Sequence, residues 1–493
     1  FGSRLFHCIS PVMVWYGQLF RCFLSAFTAA CLIPGYEGQS TPTTSGKSTA
    51  PSEGESAPAR FSHAPSVQFP LEARPAGSLE WPPKELADNS TCMSAQLDPW
   101  AYTAALNLSS SGYVFLPIFI RNPSSAPKRA VVFMHGGARN ANQYFCSGFA
   151  AVASAGAEGT TVVVAPWFGS VQVSASDWVQ GEQMKGGSAF WARDTWSNGG
   201  DAGRRRRRSA SSAHQLAMTS FGALDILTDQ LLKKFPSLEQ IAFTGFSGGA
   251  QFALRWALFS SMGANGFHGH ARLRVLVSDP GSYTYFSRMR PIASCSVLKD
   301  TGISHSCNQF MIPAAVASCR NSWDAFKYGL SNLGAHASAY LGSFAANSSI
   351  LDAAVARFAT KDVRYLFGNQ DVCNCNRQDY DNPNMSSCFP SPEHISCSPN
   401  RFGEQGCCDT FPDTNIHNLM DVSCAAMLQG SNRLQRGLNW ISYLNSFYSN
   451  AHVSYRPFVA FFDGAHNNSA SYASRHFRIW MFGADDESGT LVV

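Results

Sequence analysis

The chain has 493 residues, 45% hydrophobic and 13% aromatic, which is enough to bury a large core, whereas only 14% are charged. Its formal net charge is +4, and the five arginines of Arg204–Arg208 exceed that alone, leaving −1 for the rest (4 − 5 = −1). A chain so near neutrality outside one short run has no extended basic surface, which argues against nucleic-acid binding.

In chain order, Arg21 precedes an apolar run from Cys22 to Ile33, which Pro34 and Gly35 close. That pattern over residues 1–35 predicts a secretory signal, with Met13 as a start and cleavage between Ala30 and Gly38. The competing reading is an uncleaved anchor over Val12 to Ile33, interrupted by Gln18 and Arg21. Membrane attachment is expected only in that second case, because no later stretch is long and apolar enough to cross a bilayer. Residues 36–80 are rich in Ser, Thr, Pro, Gly and Ala and read as a disordered, possible O-glycan-bearing stalk. From Trp81 to the end the composition is globular.

Short β-rich runs then alternate with helix-length segments. Strands are predicted at Tyr113 to Ile120, Ala130 to Met134, Thr161 to Phe168, Gln240 to Phe246, Leu273 to Ser278, Val363 to Phe367 and Phe458 to Phe462. Most are continuously apolar, as buried parallel strands are. Phe221 to Phe235 has helical spacing of Leu224, Leu227, Leu231, Leu232 and Phe235, and it stops at Pro236. Alternating strands and helices predict an α/β fold, a mostly parallel central sheet with helices on both faces.

Two insertions interrupt the alternation. Residues 199–212 are Gly-, Arg- and Ser-rich, and the Arg204–Arg208 run before Ser209 suits either a processing protease or plain solvation. Residues 373–424 hold seven of the fifteen cysteines and predict a disulfide-rich excursion. Removal of a signal with Cys8, Cys22 and Cys31 leaves twelve (15 − 3 = 12), an even number, though the pairing cannot be read from sequence. Cysteine usage and sequons at Asn89, Asn107, Asn347, Asn384 and Asn467 fit an oxidising, secretory route. A zinc site at Cys373, Cys375, Cys407 and Cys408 fails on spacing and on compartment, and no metal or cofactor is expected.

The chemistry concentrates at Gly245-Phe246-Ser247-Gly248-Gly249. A strand, a serine flanked by glycines and then a helix make a nucleophile elbow, whose tight turn demands small neighbours at Gly245 and Gly249. The turn lifts the Ser247 hydroxyl and puts the Gly248 N–H at a helix N-terminus, facing a developing oxyanion. A serine hydroxyl needs a base, and the base needs an orienting group. Asp371 follows the strand Val363 to Phe367, and His466 follows the strand Phe458 to Phe462. Serine, acid and histidine therefore occur in that order, each beyond a strand end. Asp279, after Leu273 to Ser278, is the alternative acid. Val131 to Met134 runs into His135-Gly136-Gly137-Ala138, which supplies the second oxyanion donor from Gly137 or Ala138. His135 is then structural.

These motifs resemble the α/β-hydrolase superfamily over about Trp100 to Phe482, outside the insertions. Within it, His135 to Phe145 is similar to the secreted esterase-like branch related to polyhydroxyalkanoate depolymerases and feruloyl esterases. Ser278 to Tyr283, Trp323 to Leu330 and Ser423 to Arg433 look like an uncharacterised part of that branch. The resemblance implies one hydrolase domain over residues 81–493 and a secreted serine hydrolase that cleaves small-molecule or polymeric carboxylic esters. A peptidase or amidase on the same fold, or a catalytically silent surface binding module, are the alternatives it leaves open.

Overall fold

In the computed structural model the described residues are 79–85, 101–108, 114–122, 126–174, 178, 186–203, 218–292, 308–313, 319, 323–342, 348–371, 421, 423–430 and 432–483. The signal or anchor segment, nearly all of the stalk, the arginine run and all cysteines from Cys373 to Cys408 lie outside them.

Thirteen strands occur among these residues. They are β1 (Leu79–Glu85), β2 (Ala101–Asn107), β3 (Val114–Arg121), β4 (Arg129–Met134), β5 (Thr161–Pro166), β6 (Gly187–Ser188), β7 (Gln240–Phe246), β8 (Phe267–His268), β9 (Ala271–Ser278), β10 (Arg290–Pro291), β11 (Phe310–Met311), β12 (Asp362–Gly368) and β13 (Phe458–Phe462). The main sheet runs β1-β2-β3-β5-β4-β7-β9-β12-β13, with β6 beside β3 and β8 beside β9. From β5 across to β13 every neighbour is parallel, whereas β1, β2 and β3 pair antiparallel with one another and β3 pairs antiparallel with β5. Without β1, the eight long strands stand in the order 1-2-4-3-5-6-7-8 with the second reversed, which is the α/β-hydrolase arrangement.

The predicted strand Tyr113 to Ile120 is β3, which pairs antiparallel with β2 and β5 in the otherwise mostly parallel sheet. Its apolar run reflects burial on both faces, which direction does not alter; six of its eight residues are buried. Leu79 and Glu80, at the end of the expected stalk, lie in β1, which pairs with β2.

The helices are α1 (Ala141–Ser154), α2 (Ser220–Lys234), α3 (Gly248–Phe259), α4 (Gly334–Leu341), α5 (Ser348–Phe358), α6 (Cys424–Met427), α7 (Arg433–Asn450), α8 (Asn468–Ala473) and α9 (Arg475–Phe482). Strand alternation divides the core into two layers. In β4, Ala130, Val132 and Met134 face a cluster with residues of α2, α3, α5 and α7, whereas Val131 and Phe133 face one with residues of α1, α8 and α9. The sheet is thus covered on both sides.

Among the described residues one disulfide has both partners, Cys319–Cys424, and it ties the start of α6 to a residue 105 positions earlier. Cys146 is also disulfide-bonded. No described helix is long and apolar enough to cross a membrane.

Candidate active site

Parallel strands put their C-terminal ends on one edge, and the chemistry-bearing loops after β4, β7, β9, β12 and β13 all leave from there. Ser247 follows β7 directly and caps α3 with φ 57° and ψ −119°, a left-handed backbone that a residue with a side chain adopts only under constraint. Its N–H donates to the Ser278 carbonyl at 3.0 Å, and its carbonyl accepts from Gln251 N–H at 3.1 Å. The flanking glycines are required sterically. A Cβ on Gly245 would lie 2.2 Å from the Gly249 carbonyl group, and one on Gly249 would lie 2.3 Å from the Met134 oxygen.

The loop after β4 closes against the elbow. A Cβ built on Gly248 would stand 3.0 Å from the Gly137 nitrogen, so the Gly137 N–H lies beside the start of α3. Neither the Gly137 nor the Gly248 N–H donates to a backbone carbonyl among the described residues. The turn itself is held on several sides. Arg139 N–H donates to Gly136 C=O at 3.0 Å, the Arg139 guanidinium donates to the carbonyls of Phe168 (3.0 Å) and Trp191 (2.6 Å), and the Gly136 N–H bonds the Tyr144 hydroxyl. His135 is fully buried. Its Nε2 accepts from Phe168 N–H at 3.0 Å, so Nδ1 carries the proton and donates to Gly136 C=O at 3.0 Å. Burial, together with the Arg139 charge, depresses its pKa to about 4 against the pull of the Gly136 bond, and both ring nitrogens are engaged in support of the turn.

Asp371 and His466 meet across the ends of β12 and β13. Nδ1 of His466 lies 2.6 Å from Asp371 Oδ2, and both side chains are buried. Phe246, next to the candidate nucleophile, packs its ring 4.6 Å from the imidazole centroid. The Ser247 hydroxyl and His466 Nε2 make no hydrogen bond among the described residues; such bonds often tighten only when a reacting group is bound. Burial pushes the Asp371 carboxyl up, but the His466 and Arg433 charges outweigh it and hold it below the ordinary carboxylate range. Burial and Arg433 together hold His466 below the usual imidazole value, against the opposing charge of Asp371. The pair is therefore an anion beside a neutral ring near neutral pH, the state a general base requires.

Asp279, the alternative acid, joins the same cluster, with a ligating atom within 4.8 Å of those of Asp371 and His466. Its carboxylate accepts from the Gly368 N–H at 3.0 and 3.2 Å, and its own φ is 47°. Burial and the Asp371 charge raise its pKa well above the usual range. Three ligating groups so close could suggest a metal. However, the 2.6 Å contact is a hydrogen bond, and an ion held about 2.1 Å from each ligand would spread them to roughly 3 Å.

Several neighbours were not singled out by the sequence. Arg433 reaches Asp371 Oδ1 at 3.4 Å, and Tyr144 supports Gly136. Gln370, next to Asp371 in the same turn, donates to Asp463 at 2.9 Å. The Asn467 side chain accepts from Ala470 N–H at 3.1 Å as the cap of α8, which occupies the sequon asparagine next to His466.

No protein-family profile and no curated protein matches the chain. Among solved structures, poly(aspartic acid) hydrolase-1 from Sphingomonas sp. KT-1 is similar with a TM-score of 0.42 and 17% identity, covering 78% of this chain and 100% of that one. A poly(3-hydroxybutyrate) depolymerase from Bordetella parapertussis gives 0.40 and 14%, with coverage of 79% and 92%. A siderophore hydrolase from Aspergillus nidulans gives 0.31 and 14%, with coverage of 79% and 97%.

Proposed function

We propose that the protein is a secreted serine hydrolase that cleaves carboxylic esters through an acyl-enzyme. One observation carries the reading: a buried Asp371–His466 pair packs against Phe246, the residue before a serine held in a strained turn at a helix start. In the proposed cycle His466 Nε2 takes the Ser247 proton as Oγ attacks the ester carbonyl. Asp371 accepts the Nδ1–H, fixes the tautomer and stabilises the imidazolium. The Gly248 and Gly137 N–H groups stabilise the tetrahedral oxyanion. The imidazolium then protonates the leaving alcohol; water, deprotonated by His466, attacks the acyl carbon, the bond to Ser247 Oγ breaks, and the imidazolium returns its proton to Oγ as the acid leaves. The Cys319–Cys424 bridge supports an oxidising compartment, and with it secretion.

The test is labelling of the disulfide-intact protein with a fluorophosphonate and mass spectrometry of the modified peptide. Adduct on Ser247, lost in Ser247→Ala, is the expected result. Parallel assays with matched esters and amides then separate an esterase from a peptidase. A folded protein that takes no label is the silent binding module instead.

A further inference from the structure

Arg433 is in an unfavourable place for a cation. It is the first residue of α7, where the helix dipole and the outward-pointing N–H groups of the first turn disfavour positive charge. The helix start does not need it, because Asn432 already caps the helix by accepting from Gln435 N–H at 2.8 Å. Nor is the guanidinium in solvent: its side chain is 1% exposed. It faces Asp371, the carboxylate that carries His466. Oδ2 of Asp371 takes the imidazole at 2.6 Å, and Oδ1 lies 3.4 Å from the Arg433 guanidinium. The same helix start also grips the main chain of the acid, since Leu434 N–H donates to the Asp371 carbonyl at 3.1 Å.

We propose that Arg433 is a positioning residue for the relay: its guanidinium, docked on the Asp371 oxygen that His466 leaves open, fixes the plane of that carboxylate and keeps it anionic while His466 gains and loses its proton. This rests on the reading of Ser247, His466 and Asp371 as a triad. A buried carboxylate bonded on one oxygen only tends to rotate or to take up a proton. A cation on the second oxygen opposes both. Removing either partner of such a buried pair exposes the other to the full cost of uncompensated charge.

Charged and titratable groups from each neighbouring element bear on the result. Asp279 faces the cluster from the loop after β9, Tyr283 follows it in the same loop, and Arg436 stands one turn beyond Arg433 on α7. Burial and the Asp371 charge favour the protonated form of Asp279, so it does not cancel Arg433. Asp371 and Arg433 then form a neutral pair beside an uncharged imidazole. Loss of the Arg433 charge removes a repulsion from the His466 proton and an attraction from the Asp371 anion, so both groups bind protons more readily.

The experiment uses the full chain with its disulfides. The protonation midpoint of His466 is followed by NMR of ring-labelled histidine in a Ser247→Ala background, where no turnover is needed, and assigned with His466→Gln. In Arg433→Met the midpoint is expected to rise by at least about half a pH unit. In the Ser247 protein the acid limb of kcat/KM should move with it, and kcat should fall roughly ten- to a hundredfold with little change in KM. Arg433→Lys keeps the charge without the planar fork, so the midpoint should stay while kcat falls, and it serves also where Arg433→Met does not fold. An unmoved midpoint in folded Arg433→Met, or an equal rise in both variants, overturns the proposal. If the midpoint moves but the unmutated chain neither takes fluorophosphonate nor cleaves esters, the clamp stands and the hydrolase reading falls.

Discussion

The Gly368 N–H is bonded by Asp279, so the carboxylate after β9 holds the turn that presents Asp371 after β12. Two acids converge on one histidine, yet they have different tasks. Asp371 contacts the imidazole, whereas Asp279 accepts a main-chain N–H and is biased towards its protonated form. Asp371→Asn is expected to lower kcat/KM by about 10⁴, because an amide can leave the histidine in the wrong tautomer. Asp279→Asn keeps an oxygen for Gly368 and should cost at most about tenfold, a size set by positioning rather than by proton transfer. Steady-state kinetics of both variants decide the matter, and the reverse order would make Asp279 the acid.

The elbow gives a steric prediction with an internal control. Gly245→Ala and Gly249→Ala each drive a methyl into backbone that cannot swing aside, at 2.2 Å and 2.3 Å. The cost of such overpacking is expected at about 3 kcal/mol or more, with loss of fluorophosphonate labelling. A Cβ on Gly137 meets nothing within 4 Å, and alanine keeps the N–H. Gly137→Ala should therefore fold and label as the unmutated protein does. Thermal melts and labelling of the three variants are the measurement; equal tolerance at all three sites would show that the elbow is not under the described constraint.

Much of this arrangement was legible in sequence because burial on both faces leaves a continuous apolar signature. Gln240 to Phe246 and Phe458 to Phe462 coincide with β7 and β13, and the other predicted strands fall within two residues at either end. The Ser247, Asp371 and His466 placements followed from strand ends, and the structure brings Asp371 and His466 into contact. β2 escaped notice because Ala101–Asn107 contains three alanines, which favour strands poorly; seven paired positions along β3 hold it in place. Strand direction left no trace in β3, since hydrophobic content reports burial only. Arg433 was hidden because its partner lies 62 positions away. Its signal was the arginine just after the cap Asn432, at a helix start that favours anions.

Lys361 couples the elbow helix to pH. Its Nζ donates to the carbonyls of Ala257 and Ser260, both at 2.6 Å, at the C-terminal end of α3. Burial, reinforced by Arg357, lowers its pKa to about 7. The unfolded chain, with an ordinary lysine value near 10.4, binds more protons between those two points, so stability rises with pH across that window. The ceiling of the effect is roughly 5 kcal/mol. Lys361→Met should abolish the rise. Urea midpoints of both proteins at pH 6.5 and pH 9.5 test this, and parallel changes in the two would remove Lys361 from the account.

His135, unlike the base His466, takes up no proton in the proposed cycle. It must stay neutral because Nε2 accepts the Phe168 N–H, and protonation would put a second donor against that donor. Its folded value of about 4 lies below the ordinary 6.5, so the unfolded state binds the extra proton between these values. Stability from this group is therefore complete above about pH 6.5 and is lost as pH falls towards 4, up to about 3 kcal/mol. His135→Gln can still donate and accept but does not titrate. It should be less stable near pH 7, by about 1–2 kcal/mol for imperfect bonds, and the gap should close by pH 4.5. Melting both proteins at the two pH values measures the gap directly. A constant difference would mean that acid sensitivity arises elsewhere, and that the turn before Gly137 is held by Arg139 and Tyr144 without help from the imidazole.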